Sequence, residues 1–377
     1  MSEEGAVRIV GLDLEPIRDF RTEHTRQAGL YRALDAEPHL AVVSVANPNV
    51  PLPVLRLIQL AYIRPDRNRW RQRSGLSTAG FRSRTLSAER ILSGHEAACD
   101  VVLQVGCTFA PGRWQHRRPY TQYLDCTLLL THRHWPAGAS HGTRALRQWV
   151  SMERQVYERA HHIFTMSEWA RTSLIDDYGI APDRVTTTGA GTNLIPATDG
   201  VCKHTAPIAL FVGREFGRKG GPTLLSAWPA VAREVPDARL WIVGTGDEPR
   251  TEGGVTWHGR IGAGALRSLY ARASVFVLPT MYDMSPHVVR EALGHGLPCV
   301  TTAVGGIPEV VRDGVDSLLV APGDVDGLAA ALVRLMGDLS LARDMGAAGR
   351  ARVTRELTWE RVAERMKPHL LSAAGRA

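Results

Sequence analysis

Residues 208–222 read IALFVGREFGRKGGP, and this stretch decides the fold. An apolar run, Ile208–Val212, passes directly into a segment with glycine at 213, 217, 220 and 221, and Pro222 then stands where a helix opens. A buried strand, a glycine-rich turn and a helix form the first half of a βαβ unit. Proline suits the first helical turn, where its missing N–H is not needed. Downstream the alternation continues. Strands are expected at Leu240–Val243, Val275–Leu278, Cys299–Thr302 and Ser317–Val320. Helices are expected near Pro222–Glu234, Ala263–Ala273, Pro286–His295, Asp326–Met336 and Leu341–Glu356. Upstream, strands are expected at Val7–Leu12, Leu40–Val45, Val101–Val105, Tyr120–Leu124 and His162–Met166, with helices at Thr22–Glu37, Thr143–Ala160 and Glu168–Tyr178. Strands and helices alternating in this way predict an α/β fold with mostly parallel sheets.

The pattern pauses at Ala197–Pro207, a polar, turn-rich stretch that reads as a linker. A chain of 377 residues suits two domains of about 150–200 residues each. The expected domains are 1–198 and 199–357, with a last helix in 358–377. No apolar run approaches the ~20 residues of a membrane-spanning helix, and the acidic N-terminus, MSEEGAVRIVGLDLEP, does not read as a secretory signal. Five scattered cysteines without a CxxC pair argue against a disulfide framework or structural zinc, so a reducing cytoplasm is expected. The net charge of +7 is local. Residues 56–90 hold nine arginines against Asp66 and Glu89, and the rest of the chain is balanced. No nucleic-acid-binding module accompanies that stretch, and nucleic acid is not an expected partner.

Two constellations carry chemistry. In the first, the glycine-rich turn lets backbone approach a ligand, the following helix N-terminus favours anions, and Arg214 and Lys219 add two cations at the same strand end. The chain has three lysines, so a compact point charge at 219 suits a diphosphate. The alternative is an ordinary βα turn with solvated charges. In the second, strand Val275–Leu278 ends in Pro279-Thr-Met-Tyr-Asp283-Met-Ser285-Pro286-His287. Ser285 reads as the N-cap and Pro286 as the first helical residue. Glu291 follows about one and a half turns on. A helix start flanked by two carboxylates fits a nucleotide sugar, with N–H groups for phosphate and carboxylates for hydroxyls. The alternative is an aspartate complementing the helix dipole and a solvated glutamate.

The C-terminal half, from Phe211 to about Val353, resembles the retaining glycosyltransferases of family 4, which have the GT-B fold. The matching text includes VGREFGRKGG, WIVGTGDEP, WHGRIG and DMSPHVVREALGHGLPCVTTAVGGIPEVV. The family's signature is two glutamates separated by seven residues; here the spacing is kept with Asp283 first and Glu291 second. The resemblance implies two Rossmann-like domains facing each other across a cleft, an acceptor-side N-terminal domain, a donor-binding C-terminal domain and a last helix crossing back to the first. It implies that Glu291 holds the donor ribose and Asp283 the transferred sugar. It also implies that Arg214 and Lys219, with Gly213 and the backbone at Met284, Ser285, Pro286 and His287, bind the diphosphate, and that His258–Ile261, Arg260 among them, lies where relatives hold the base. The implied reaction moves a hexose-type sugar from a nucleoside diphosphate to a hydroxyl of a glycan, lipid-linked or small-molecule acceptor, with retention. Arg214 and Lys219 would then do the work a metal does elsewhere. No Asp-x-Asp motif stands at a strand end, so neither metal nor a further cofactor is expected.

The N-terminal half departs from the family. Relatives have a Gly-Gly loop after the first strand, where this chain reads DLEPIRDFRTE. Where relatives carry a histidine after a proline-led strand, counting from Pro119 reaches Asp125. Asp125 could steer or deprotonate an acceptor hydroxyl, or cap the next turn. His132 and His134 are the other candidates, and His161-His162 reads as packing or turn. Residues 54–73 mix apolar residues, Trp70 and arginines at 56, 64, 67, 69, 71 and 73; they suit an anionic membrane face or a phosphorylated acceptor, or form a solvated loop. An epimerase or hydrolase on the same scaffold, and a non-catalytic nucleotide-binding scaffold, are the rival readings.

Overall fold

A computed structural model describes residues 5–23, 27–61, 77–113, 117–136, 143–193, 204–245 and 250–376. The chain forms two compact units. One comprises residues 1–191 together with 359–377, and the other residues 192–358. Each is built on a sheet formed from the apolar runs described above.

In the first unit the strands are β1 (Val7–Leu12), β2 (Leu40–Ala46), β3 (Val101–Val105), β4 (Tyr120–Leu124), β5 (His162–Thr165) and β6 (Val185–Thr187). They lie parallel in the order β2-β1-β3-β4-β5-β6. Strand period divides the core between two faces. Val7, Ile9, Val101 and Leu103 pack with Tyr31, Leu34 and the last helix, Trp359–Ala373. Val10, Leu12 and Val102 pack on the other side with Trp149, Val156 and Tyr157 of the helix Thr143–Arg159. The last helix is tied down by polar contacts as well. The His369 ring stacks on His162 at 3.7 Å, Arg365 donates to the Thr188 carbonyl at 2.9 Å, and Lys367 pairs with Glu37 at 3.2 Å. Burial, with His369 next in effect, pushes the His162 pKa down to about 3, so the stacked pair stays neutral near pH 7.

The second unit contains β7 (Ile208–Val212), β8 (Arg239–Val243), β9 (Arg250–Glu252), β10 (Val255–Gly259), β11 (Val275–Leu278), β12 (Cys299–Thr302) and β13 (Ser317–Val320). The order is β13-β12-β11-β7-β8-β10-β9, parallel throughout except that β9 runs antiparallel to β10. Two parallel-sheet α/β units give the GT-B architecture. The chain leaves β7 for β8 on one side and returns through β11 on the other. That reversal is a topological switch point, where open α/β sheets form a crevice at their carboxyl edge.

Several elements differ from expectation. The helices Leu52–Ala61, Thr78–Ser93, Leu128–His134 and Ile307–Val310, and strands β6, β9 and β10, were not anticipated. Part of the expected linker is not extended chain: His204 is buried, and its Nε2 lies 3.0 Å from the Gly296 carbonyl. Residues 197–203 of that stretch, and the arginines at 64, 67, 69, 71 and 73 with Trp70, lie outside the described residues. Among the described residues no helix is long and apolar enough to cross a membrane.

Candidate active site

Three loops meet at the carboxyl edge of the second sheet, beside the switch point. The first follows β7. Gly213 closes the strand, its N–H donating to the Val243 carbonyl at 2.9 Å, and the chain turns so that Lys219 N reaches the Glu215 carbonyl at 2.9 Å. Gly220 then starts the helix Gly221–Glu234 at φ +78°. A Cβ at 220 would lie 1.7 Å from the Pro279 carbonyl oxygen, so only glycine lets this loop lie against the end of β11.

The second loop follows β11. Thr280 Oγ1 lies 3.0 Å from the carbonyls of both Arg218 and Tyr282, and Met281 N donates to the Arg218 carbonyl at 2.9 Å. These bonds link the first loop to the second and bring Lys219 to Asp283. The Lys219 ammonium donates to Asp283 Oδ2, with both side chains largely buried. Arg218 stands 3.9 Å from the same oxygen, donates to the Tyr282 carbonyl at 2.7 Å and pairs with Glu215 at 2.9 Å. Burial works against the Arg218 charge, but Glu215 and Asp283 hold it firmly. Glu215 in turn is held below the usual carboxylate range by its bond to Arg218. The third loop follows β12. Gly305 sits at φ +55°, where a Cβ would lie 1.9 Å from the Asp283 carbonyl oxygen, and Gly306 N donates to the Met284 carbonyl at 3.1 Å.

The helix after Asp283 starts one residue later than expected. It spans His287–Gly294, with Pro286 at the N-cap. Ser285 does not cap it, because its Oγ and carbonyl accept from the buried Arg290 guanidinium at 3.0 and 3.2 Å. Glu291, half-buried, accepts from the Tyr270 hydroxyl at 3.2 Å. Burial, then the Glu291 charge, raises the Tyr270 pKa well above its ordinary value, so the hydroxyl remains a donor. Tyr270 stacks on His295 at 4.7 Å.

Of the residues predicted from sequence, Gly213, Lys219, Asp283, Met284, Ser285, Pro286, His287 and Glu291 therefore belong to these loops and the helix they lead into. Arg214 is exposed and makes no side-chain hydrogen bond or ion pair among the described residues. Arg260 is also exposed, just past the end of β10, and His258 within that strand meets Trp241 edge-on at 5.8 Å. Asp125 lies in the first unit, at the carboxyl end of β4. The cap of the next helix is Thr127, whose Oγ1 accepts from Leu130 N at 3.2 Å. Buried Glu153 accepts from Cys107 Sγ at 2.9 Å and from Leu128 N at 3.3 Å, which fixes the turn after Asp125. His132 and His134 lie in that helix, and the His134 ring meets Trp169 at 5.5 Å. His162 is a packing residue, as its stacking shows.

Sequence reasoning missed Arg218, Thr280, Arg290 and Tyr270. Arg290 left a signal, since it falls between Val289 and Leu293 on the apolar side of its helix, a costly place for a charge without a carbonyl or hydroxyl to receive it.

The chain is similar to known glycosyltransferases and synthases in sequence and in fold. The family model described as "Glycosyl transferases group 1" matches residues 206–338. The alpha-maltose-1-phosphate synthase of Mycolicibacterium smegmatis is 31% identical over 267 residues, which covers 62% of this chain and 68% of that protein. A sucrose-phosphate synthase from Thermosynechococcus elongatus superposes with a TM-score of 0.71 at 21% identity, covering 98% of this chain and 100% of the other. Anabaena HepE, solved in complex with UDP and glucose, superposes with a TM-score of 0.63 at 16% identity, covering 97% and 100%.

Proposed function

The chain belongs to the group 1 glycosyltransferases, and from that premise we propose that its second unit holds a nucleoside-diphosphate sugar at the three-loop site and gives up a hexose-type sugar to a hydroxyl acceptor with retention. The observation that carries this reading is the Lys219–Asp283 pair at the switch point, with glycines on both flanking loops where backbone must come close. In the proposed arrangement Lys219 and Arg214 meet the diphosphate, and Arg218 fixes the loop that carries them. The N–H groups near Met284–His287 add to that field, Glu291 takes the ribose hydroxyls and Asp283 takes hydroxyls of the transferred sugar. As the bond to the leaving diphosphate stretches, negative charge grows on its oxygens, and fixed cations stabilise that charge more than they stabilise the ground state. Because the cations come from side chains, turnover is expected to proceed with chelator present. Arg260 stands near the proposed base position. The acceptor is proposed to bind the first unit, with Asp125 steering or deprotonating its hydroxyl.

The test is calorimetry with UDP, GDP, ADP and dTDP in chelator, followed by turnover and the anomeric configuration of the product. One nucleotide is expected to bind selectively, and Glu291→Ala to weaken it by about tenfold through lost charge-assisted bonds. Absence of binding by all four, or activity only with added manganese, would overturn the donor-site reading.

The proposed setting is the cytoplasm, with peripheral contact at an anionic membrane face. What supports the contact is the helix Leu52–Ala61, where Leu52, Leu57 and Leu60 are 70%, 67% and 63% exposed and Ile58 is buried. A helix showing leucines and Arg56 to solvent suits a lipid interface. Wild-type protein is expected to sediment with phosphatidylglycerol vesicles, and Leu57→Ser/Leu60→Ser to stay in the supernatant. Equal distribution of the two proteins removes this reading.

A further inference from the structure

The first unit carries an open cavity of about 640 Å³ between the helices Thr78–Ser93 and Thr143–Arg159. Its lining includes Thr78 and Arg82 from one helix and Arg144, Arg147, Gln148 and Ser151 from the other. The second set is spaced i, i+3, i+4 and i+7, which is one face of a helix. The same helix buries Trp149, Glu153 and Val156, and Phe81 meets Trp149 edge-on at 5.6 Å, so the two walls are packed together beneath the cavity. The polar side of this helix pair therefore faces a preformed space.

Charge is the second observation. Arg82, Arg144 and Arg147 form no side-chain hydrogen bond or ion pair among the described residues. Two other arginines near this helix are engaged. Arg154, on the same helix, donates to the Asp177 carbonyl at 3.0 Å, and Arg133 pairs with Asp177 at 2.7 Å. The three unengaged arginines also sit within the first turn and a half of their helices, and neither helix has an acidic residue in its first turn. Cations near a helix N-terminus oppose the macrodipole. Three positive charges and two positive helix ends on one cavity are a local cost that an anion would relieve.

We propose that this cavity binds the phosphate of a phosphate monoester. Three guanidinium forks can each face a phosphate oxygen, while Thr78, Ser151 and Gln148 can bond a hydroxylated body attached to it. A carboxylate brings one charge and two oxygens, and leaves two of the three arginines uncompensated. The phosphate is carried by the acceptor, which deepens the acceptor side of the proposed function and rests on that reading for its role. Binding at the cavity stands apart from it.

The experiment is calorimetry on the full chain at low, fixed ionic strength, because exposed charges are screened by salt. The probes are glucose 6-phosphate, glucuronate, and phosphatidylglycerol vesicles bearing or lacking phosphatidic acid. Glucose 6-phosphate, or the phosphatidic acid vesicle, is expected to bind saturably. Each of Arg82→Gln, Arg144→Gln and Arg147→Gln should weaken it on the order of tenfold. Thermal unfolding and nucleoside-diphosphate binding should stay unchanged, and an Arg→Lys triple variant should retain part of the affinity. Whichever carrier loses affinity in the glutamine variants identifies the source of the phosphate as soluble or lipid-borne. No saturable binding of either carrier overturns the proposal. So does binding indifferent to the three substitutions, or glucuronate binding as tightly as the phosphate. A failure of the glycosyltransferase reading would show instead as turnover lost while these binding results hold.

Discussion

Asp283→Asn is expected to bind nucleoside diphosphate about tenfold more tightly than the wild type and to turn over sugar about a hundredfold more slowly. The two effects have one cause. Lys219 donates to Asp283, with side chains 13% and 8% exposed, so the ammonium that should meet the diphosphate is already engaged by a carboxylate. Two unit charges about 4 Å apart interact by about 4 kcal/mol at an effective dielectric near 20. A diphosphate arriving at Lys219 must draw it partly away, and removing the carboxylate's charge releases part of that energy as affinity; about 1.4 kcal/mol is tenfold. The same substitution removes the charged acceptor proposed for the sugar hydroxyls, and loss of one such contact in the transition state costs about 10²-fold or more. Lys219→Ala should have the opposite sign on binding. It removes the cation and leaves Asp283 buried with Arg218 3.9 Å away as the remaining charge partner. Breaking a buried pair from one side costs about 3–5 kcal/mol, and Arg218 should reduce that figure. The double variant should then be more stable than Lys219→Ala alone, because the neutral amide needs no cation. Calorimetry, thermal unfolding and initial rates on the three variants check this. If Asp283→Asn weakens nucleotide binding as much as Lys219→Ala does, the pair is a structural clasp and the donor does not compete for it.

The balance between loop and strand explains what could be read without coordinates. Ten of the thirteen described strands stand where the sequence predicts one, Ile208–Val212 and Val275–Leu278 among them, because a strand buried on both faces of a parallel sheet has no alternation to lose. The α/β class followed from their alternation with helices, and the GT-B arrangement from the resemblance to a known family. β10 was missed because its residues, Val255-Thr-Trp-His-Gly259, are half-buried and mixed, and β9 is three residues long at an edge. The helix Thr78–Ser93 buries only Gly80, Phe81, Ala88 and Leu92, too sparse a stripe to stand out.

Site residues divide along similar lines. Glycine-rich turns and strand-end carboxylates are visible as residue types, so Lys219, Asp283 and Glu291 could be named. Their mutual arrangement is tertiary. Nothing in the spacing of 219 and 283 says that they touch, and the link runs through the carbonyl of Arg218 and the hydroxyl of Thr280. Ser285 illustrates the same limit. Its local context reads as an N-cap, but Arg290 five residues on claims its oxygens, and the helix begins beyond it.

Gly305→Ala should be among the most damaging small substitutions in the chain, and Gly314→Ala, which looks equivalent by dihedral angle, should be mild. Both glycines have positive φ, +55° and +71°. A left-handed conformation costs an alanine about 1–2 kcal/mol. At Gly314 nothing lies within 4 Å of the added Cβ, so that is the whole expected cost, and activity should not change. At Gly305 the Cβ would stand 1.9 Å from the Asp283 carbonyl oxygen, which is backbone and cannot rotate away. Either the β12 loop moves outward or the Asp283 segment moves inward. The first breaks the Gly306–Met284 bond, and the second displaces the Lys219–Asp283 pair. Stability should fall by about 3 kcal/mol or more, in the range where steric conflict at a fixed backbone exceeds ordinary surface effects. Displacement of about 1 Å at catalytic groups can cost about a hundredfold in rate. Thermal unfolding and kcat/KM measured on both variants under one condition separate the two costs. If Gly305→Ala unfolds and turns over like Gly314→Ala, the β12 loop does not press on Asp283, and the third loop plays no part in shaping the site.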